Sequence, residues 1–306
     1  MAAGEGRPAL RGALTRNEPM ADHTSWRAGG AAARFYVPAD LDDLSRFIAA
    51  AEPGEPLLWL GLGSNLLVRD GGFAGTVVAI SGVLSDLESD GGRRVHAAAG
   101  VACAKVARFS ARCSLSGAEF LAGIPGTVGG ALAMNAGAFG SETWDIVHSV
   151  ETMDRAGRRR RRDRTEYETG YRNVKGPADE WFVGVEFELR PDAEGNAEAR
   201  IRELLARRAE TQPTGVFSCG SVFRNPPGDF AGRLIDACGM KGKRVGHAYV
   251  SDRHANFIVN EGGATAAEIE KLVLLVQDEV QRRTGVRLEP EVRIVGLPAT
   301  EGAHAC

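Results

Sequence analysis

The stretch SCGSVFRNPPGD, residues 218–229, places a hydroxyl, Ser221, between a Cys-Gly pair and Val222-Phe223, with a turn behind it. A hydroxyl in that setting can act as a nucleophile, a turn residue or a proton source. The nucleophile elbow G-x-S-x-G is not matched, because Phe223 stands two residues after the serine. No Ser–His–Asp order is evident in the chain, which disfavours a serine hydrolase. The choice between turn and proton source depends on what else the chain holds.

Two glycine-rich loops answer part of that question. GLGSN, residues 61–65, follows the apolar run PLLWL, yet Leu66 occupies the position where a G-x-G-x-x-G fingerprint needs glycine, and LLVRD does not begin a helix. Gly61 and Gly63 leave successive backbone N–H groups uncovered, and Ser64 and Asn65 add side-chain donors, which is the chemistry of an anion nest suited to a pyrophosphate. A tight turn that merely needs glycine is the competing reading of this loop alone. GIPGTVGG, residues 123–130, sets Gly123, Gly126, Gly129 and Gly130 within eight positions, with Pro125 stiffening one turn. MNAGAFG, residues 134–140, continues with Asn135 and almost bare backbone. Glycine in regular structure costs about 0.5–1 kcal/mol, so so long a stripped segment points to a large ligand lying along the backbone.

The elements that must carry these loops are legible from period and caps. ARFYVPADLDDLSRFIAAA reads as a strand and then a helix from about Asp40, with Leu41, Leu44, Phe47 and Ile48 at helical spacing. PLLWLGLGSNLLVRDGGFAGTVVAIS gives strand, loop, short extended piece, turn and strand; RRVHAAAGVACAKVARFSARCSLSG gives strand and helix. VHSVETMDRAGRRRRRDRTEYETGYR predicts a hairpin leading into a loop, EWFVGVEFELR a strand, and DAEGNAEAR a linker near 192–198. A helix over about 198–210 follows. The last helix starts at Thr265 with Glu268 three residues on, a capping-box pattern, and ends at Gly285; VRLEPEVRIV is the expected final strand. The order is α+β: a tail over 1–19, one domain over 20–195 with a split near 85, a smaller α+β domain over 196–296, and a tail over 297–306.

Composition sets the outer limits. The 306 residues carry a formal charge of −3, which gives no global pull toward nucleic acid or an anionic membrane. The apolar runs fall far short of the ~20 residues of a membrane helix, and no signal-peptide core opens the chain, so a cytoplasmic monomer is expected. Five cysteines (103, 113, 219, 238 and 306) lack CxxC spacing; free thiols are expected, with no disulfide framework and no metal. RRRRR, residues 158–162, invites a nucleic-acid reading, but Asp154, Asp163 and Glu166 surround it at a hairpin tip, so a solvated turn is favoured.

Taken in order, HTSWRAGG, GLGSN, AGIPGTVGGALAMNAGAFG, YR (171–172), SCGSVFRNP, HANFIVN and LEPEVR resemble the UDP-N-acetylenolpyruvoylglucosamine reductase family over about residues 20–296. The resemblance implies a two-subdomain FAD-binding fold of the vanillyl-alcohol-oxidase type, non-covalent FAD, and a C-terminal substrate domain for a UDP-sugar, with NADPH as electron source. By that analogy Gly61 to Leu66 cradle the FAD pyrophosphate, while Gly123, Ile124, Pro125, Gly126, Gly129, Gly130, Asn135, Ala136 and Gly137 line the flavin. The short run between the serine motif and HANF leaves no room for the tyrosine-bearing loop of the longer branch of the family.

The implied reaction adds a hydride to an enolpyruvyl alkene and then a proton to the carbon beside the carboxylate. The resemblance assigns charge stabilisation to Arg172, a permanently charged bidentate donor, and polarisation to Glu291, which as an acid needs a raised pKa. Ser221 becomes the proton donor. Glu289, two residues from Glu291, would share its strand face, and pairing of Glu291 with Arg293 is the bland alternative. Tyr171 and Asn225 match positions near the substrate; Gln212, His254 and Asn256 are weaker candidates for the same task. Two other readings stay open: an oxidase of the same fold, although neither glycine loop holds the histidine that often binds flavin covalently, and a non-enzymatic nucleotide-binding protein.

Overall fold

The computed structural model describes residues 10–299; residues 1–9 and 300–306 of the expected tails, Cys306 included, lie outside them. The first subdomain is a four-stranded sheet in the order Ala13–Pro19, Ala31–Val37, Phe73–Ala79, Leu57–Leu60. Its first pair is antiparallel and the other two are parallel. Helix α1 (Leu41–Ala50) starts as read: the Asp40 carboxylate accepts from the Asp43 N–H at 2.8 Å, and Leu44, Phe47 and Ile48 are buried.

The second subdomain is a five-stranded antiparallel sheet, ordered Arg159–Asp163, Val147–Asp154, Glu180–Glu188, Arg94–Ala98, Leu87–Ser89. Between Ala79 and Leu87 the chain passes from one sheet to the other. Helices α2 (Cys103–Arg112) and α3 (Val128–Met134) belong to this part, and one apolar core runs from the α1 stripe to Val95, Val150, Val185 and Phe187. The two subdomains therefore share a core and leave the glycine loops facing each other at its edge.

In the C-terminal domain, α5 (Ala231–Ala237) and α6 (Ala266–Thr284) pack with a three-stranded sheet of Arg244–Val245, Ala248–Val250 and Ile258–Asn260. Helix α6 has both halves of its capping box, Thr265 with Glu268, and ends on Gly285 at φ +77°. This domain is clamped to the first. Strand Arg293–Val295 pairs in parallel with Leu66–Val68, the Asp70 carboxylate accepts from the Ala266 and Ala267 N–H groups, and Arg69 forks onto Glu270. Trp26, fully buried, donates its indole N–H to the Ile258 carbonyl at 2.8 Å.

Several boundaries move. Residues 13–19 are an edge strand, not tail; its side chains are nearly all exposed, so no apolar period marked it. The helix expected at 198–210, here α4 (Ala197–Thr211), buries Ile201 in the second subdomain's core, which shifts the boundary from 195 to about 211. Only Arg293–Val295 of the expected final strand is regular. The arginine run forms Arg159–Asp163 of the expected hairpin, and every one of its side chains pairs with a carboxylate: Arg158 and Arg160 with Asp154, Arg159 with Asp42, Arg161 with Glu186, Arg162 with Glu166 and Glu180. Cys103, Cys113, Cys219 and Cys238 are free. Burial pushes the Cys103 and Cys219 thiols up to about 12, which keeps both protonated and unreactive. Among the described residues no helix is long and apolar enough to cross a membrane.

Candidate active site

A cavity of about 350 Å³ opens between the subdomains, and both glycine loops line it. Gly61, Gly63, Ser64, Asn65 and Leu66 form one wall, and Ile124, Gly126, Gly129, Gly130 and Ala136 the other. A Cβ on Gly126 would meet nothing nearer than the Ser64 hydroxyl at 3.5 Å, and one on Gly130 nothing nearer than Thr127 at 3.7 Å. Those two positions are bare where a side chain would fit, so the bareness serves a ligand. A cavity lined by two glycine-rich loops and by residues of apolar strands fits a dinucleotide such as FAD.

Gly123, Pro125, Asn135 and Gly137 lie outside the cavity wall. Gly123 is glycine because a Cβ would sit 2.4 Å from the Phe139 ring. Asn135 is buried in a left-handed C-cap of α3 at φ +46°. Its amide donates to Glu142 and to the Gly170 carbonyl at 2.7 and 3.0 Å and accepts from the Trp144 N–H at 3.1 Å. It braces α3 against the hairpin that follows. The cavity also has walls that the sequence did not announce: Trp59, Met134, Tyr167, Trp181 and Arg293. Trp59 lies two residues before Gly61 in a strand already expected, which was the one available signal.

The braced hairpin joins Glu168–Gly170 to Asn173–Lys175 through a two-residue turn, Tyr171-Arg172. Arg172 takes φ +53°, a conformation that costs a side-chain-bearing residue about 1–2 kcal/mol and that clusters at functional sites. Its Nε donates to Glu291 Oε1 at 2.8 Å, and its Nη groups donate to the carbonyls of Asn135 and Gly137 at 3.4 and 3.1 Å. A guanidinium has five N–H donors, so two stay available to a ligand.

Glu291 is largely buried, and burial raises its pKa against the opposing pull of Arg172 and Arg224. Glu289 is exposed, because residues 289–291 do not form a regular strand; the expected equivalence of the two glutamates and the Glu291–Arg293 pair both fall away. Backbone bonds set the serine turn against this segment: the Glu291 N–H donates to the Val222 carbonyl at 2.7 Å, and the Arg224 N–H to the Glu289 carbonyl at 2.9 Å. Ser221, half-buried, bridges through its backbone to Phe257. Asn65 ties the group to the cavity, donating to the Glu291 carbonyl and to Met134 Sδ, both at 3.0 Å. The Ser221 turn, Arg172 and Glu291 thus lie against one another, and Asn65 of the cavity wall joins them through the Glu291 carbonyl.

The remaining candidates divide. Tyr171 is exposed and its hydroxyl accepts from the Asn225 N–H at 3.3 Å, while the Asn225 amide oxygen accepts from Ala231 at the start of α5. Asn256 is buried with both amide ends on the Phe223 backbone, at 2.9 and 2.8 Å, so it positions the serine turn rather than meeting a ligand. His254 supports Asn256, accepting from its N–H at 3.3 Å, and burial lowers the imidazole pKa. Gln212 accepts from Arg208 Nε at 2.9 Å, and Arg208 in turn donates to the Gly123 carbonyl. Arg224 was not singled out by the sequence; its Nε is buried without a partner beside Glu291.

Comparison with known proteins agrees with this layout. Residues 32–162 match the family model of an FAD binding domain, and residues 212–295 match that of the UDP-N-acetylenolpyruvoylglucosamine reductase C-terminal domain. The second match begins where α4 ends, at the boundary seen in the fold. The UDP-N-acetylenolpyruvoylglucosamine reductase of Methylococcus capsulatus is 61% identical over 94% of each chain. That of Legionella pneumophila (strain Corby) is 54% identical over 94% of this chain and 93% of its own. The crystal structure of UDP-N-acetylenolpyruvylglucosamine reductase from Thermus caldophilus superposes with a TM-score of 0.80 at 34% identity, covering 94% of this chain and 99% of that one.

Proposed function

The chain belongs to the UDP-N-acetylenolpyruvoylglucosamine reductase family, and from that premise we propose how its own residues carry the reaction. The protein is an FAD-containing oxidoreductase that reduces the enolpyruvyl ether of UDP-N-acetylglucosamine to UDP-N-acetylmuramate, a step of peptidoglycan precursor synthesis. We take NADPH as the reductant and the cytoplasm, where nucleotide sugars and NADPH are available, as the place of reaction. Bound flavin supplies one thing, a hydride relayed from NADPH to the terminal alkene carbon.

The chain supplies the rest. As the hydride arrives, negative charge develops on the carbon beside the carboxylate and spreads onto its oxygens. Arg172, already fixed by three hydrogen bonds, offers its two free N–H donors to that carboxylate. Glu291, whose proton burial favours against the pull of Arg172 and Arg224, donates in its acid form to the same group, and Arg224 adds a second cation close by. The Ser221 hydroxyl gives its proton to the carbon and is re-protonated from water. NADPH, a proton and the alkene become NADP⁺ and the saturated lactyl ether. The observation that carries this reading is the buried Arg172–Glu291 pair, set by hydrogen bonds against the Ser221 turn at the end of the cavity.

Ser221→Ala tests it. Reduction of bound flavin by NADPH is expected to survive while turnover of the enolpyruvyl substrate collapses; equal loss of both half-reactions would make the serine structural. Glu291 gives a pH signature. Its acid form is the working one, so the rate falls as pH rises through its raised pKa, and Glu291→Gln loses that alkaline limb along with about 10²–10³ of kcat. Stability follows the same sign. The folded chain holds this proton more tightly than the unfolded chain, so the contribution is full below the ordinary glutamate value and is lost as pH climbs through the raised one.

A further inference from the structure

The cavity has a direction. Asn65 and Met134 mark one end, where they meet Glu291. Away from that contact, Gly61 to Ser64 and the strands Leu57–Leu60 and Glu180–Glu188 line the same cavity, and the strands bring Trp59 and Trp181 into it. FAD is a linear molecule, with the reactive ring system at one end, the pyrophosphate in the middle and adenine at the far end. The reactive ring must lie with Arg172, Glu291 and Ser221, which leaves adenine beside the two indoles.

We propose that Trp59 and Trp181 form the seat of the adenine ring and so select FAD over flavins that lack it. The proposal rests on the FAD-binding reading of the cavity. The two rings are stacked, with centroids 5.3 Å apart and planes 18° from parallel. Trp181 is held from behind: the Arg155 guanidinium lies 5.6 Å from its ring centroid and donates to the Glu55 carbonyl at 3.2 Å. Glu180, the neighbour of Trp181, also lines the cavity and is fixed by Thr152 and Arg162. Trp59 comes from the first subdomain and Trp181 from the second, so a base seated on the pair closes the cavity from both sides. A purine offers the flat face this seat suits; FMN, ending at its phosphate, does not reach it.

The test is equilibrium binding of FAD, FMN and ADP to the flavin-depleted full chain. The wild type is expected to bind FAD more tightly than FMN, and ADP to compete with FAD and to quench tryptophan emission. Trp26 and Trp144 are buried with their N–H groups bonded to carbonyls, so the quenching falls on Trp59 and Trp181. For Trp59→Leu the dissociation constant for FAD rises on the order of 10- to 100-fold, the range of a lost base–aromatic stack, while that for FMN is unchanged. Equal losses for FAD and FMN, or no loss for either, overturn the seat. Should the variant fail to fold, the wild-type ADP titration decides alone, and ADP that neither competes nor quenches overturns it. A wild-type chain that takes up no flavin at all would instead remove the FAD reading itself.

Discussion

Gly61 and Gly63 of loop 61–65 and Gly126 and Gly130 of segment 123–130 line one cavity, but for opposite reasons. In the first, the protein itself forbids a side chain: a Cβ on Gly61 would lie 2.3 Å from the Thr127 hydroxyl, and one on Gly63, at φ +62°, 2.0 Å from the His23 carbonyl. In the second, Gly126 and Gly130 have room for a Cβ, and only a ligand makes them bare. Glycines of the first kind hold the fold together at its tightest crossing. Those of the second kind shape empty space. Residue type alone cannot separate the two, because both read as G.

The contrast can be pressed hardest at Asn135, which ends the bare segment and belongs wholly to the protein. Asn135→Ala removes three buried hydrogen bonds and leaves an alanine in a left-handed backbone, with an expected loss of roughly 3–5 kcal/mol and a melting temperature about 10 °C lower. An unchanged melting curve would return this residue to the ligand-facing class. Gly63→Ala comes next, at about 2–3 kcal/mol from the left-handed φ and the backbone clash, with flavin content falling in step with stability. Gly130→Ala is the smallest in stability and has the opposite sign. Its position in α3 favours alanine by up to about 0.5–1 kcal/mol in the flavin-free chain, while FAD affinity drops about tenfold or more because the new methyl enters the cavity. Destabilisation of flavin-free Gly130→Ala, or unaltered FAD binding, would erase the distinction between the loops.

Local signals explain what the sequence revealed. The Asp40 cap, the Thr265–Glu268 box and the Gly285 stop each act within four residues, and each is found where the sequence placed it. For the proposed catalytic residues, resemblance carried whole motifs, and the fold sets Arg172 on Glu291 and the Ser221 turn against the Glu291 backbone. What stayed hidden depends on distance along the chain. Trp181 reaches the cavity from about 120 residues beyond Trp59, and the Asn135 brace needs Trp144, Glu142 and Gly170 around it. Strand Ala13–Pro19 was missed because an exposed edge strand has no buried face to impose a period. Helix α4 was assigned to the wrong side because a linker composition precedes it, while Ile201 decides its allegiance.

The parallel pairing of Leu66–Val68 with Arg293–Val295 sets an order of events. The strand that leaves glycine loop 61–65 bridges to Gly29 at one position and has its regular partner in the last regular element of the described chain. During synthesis from the N-terminus, the loop's exit strand waits for its regular partner, made some 225 residues later. Capture of the cofactor in its final geometry is therefore an event of the finished polypeptide, and a nascent chain halted before residue 293 carries the glycine loops without the strand that holds one of them in place.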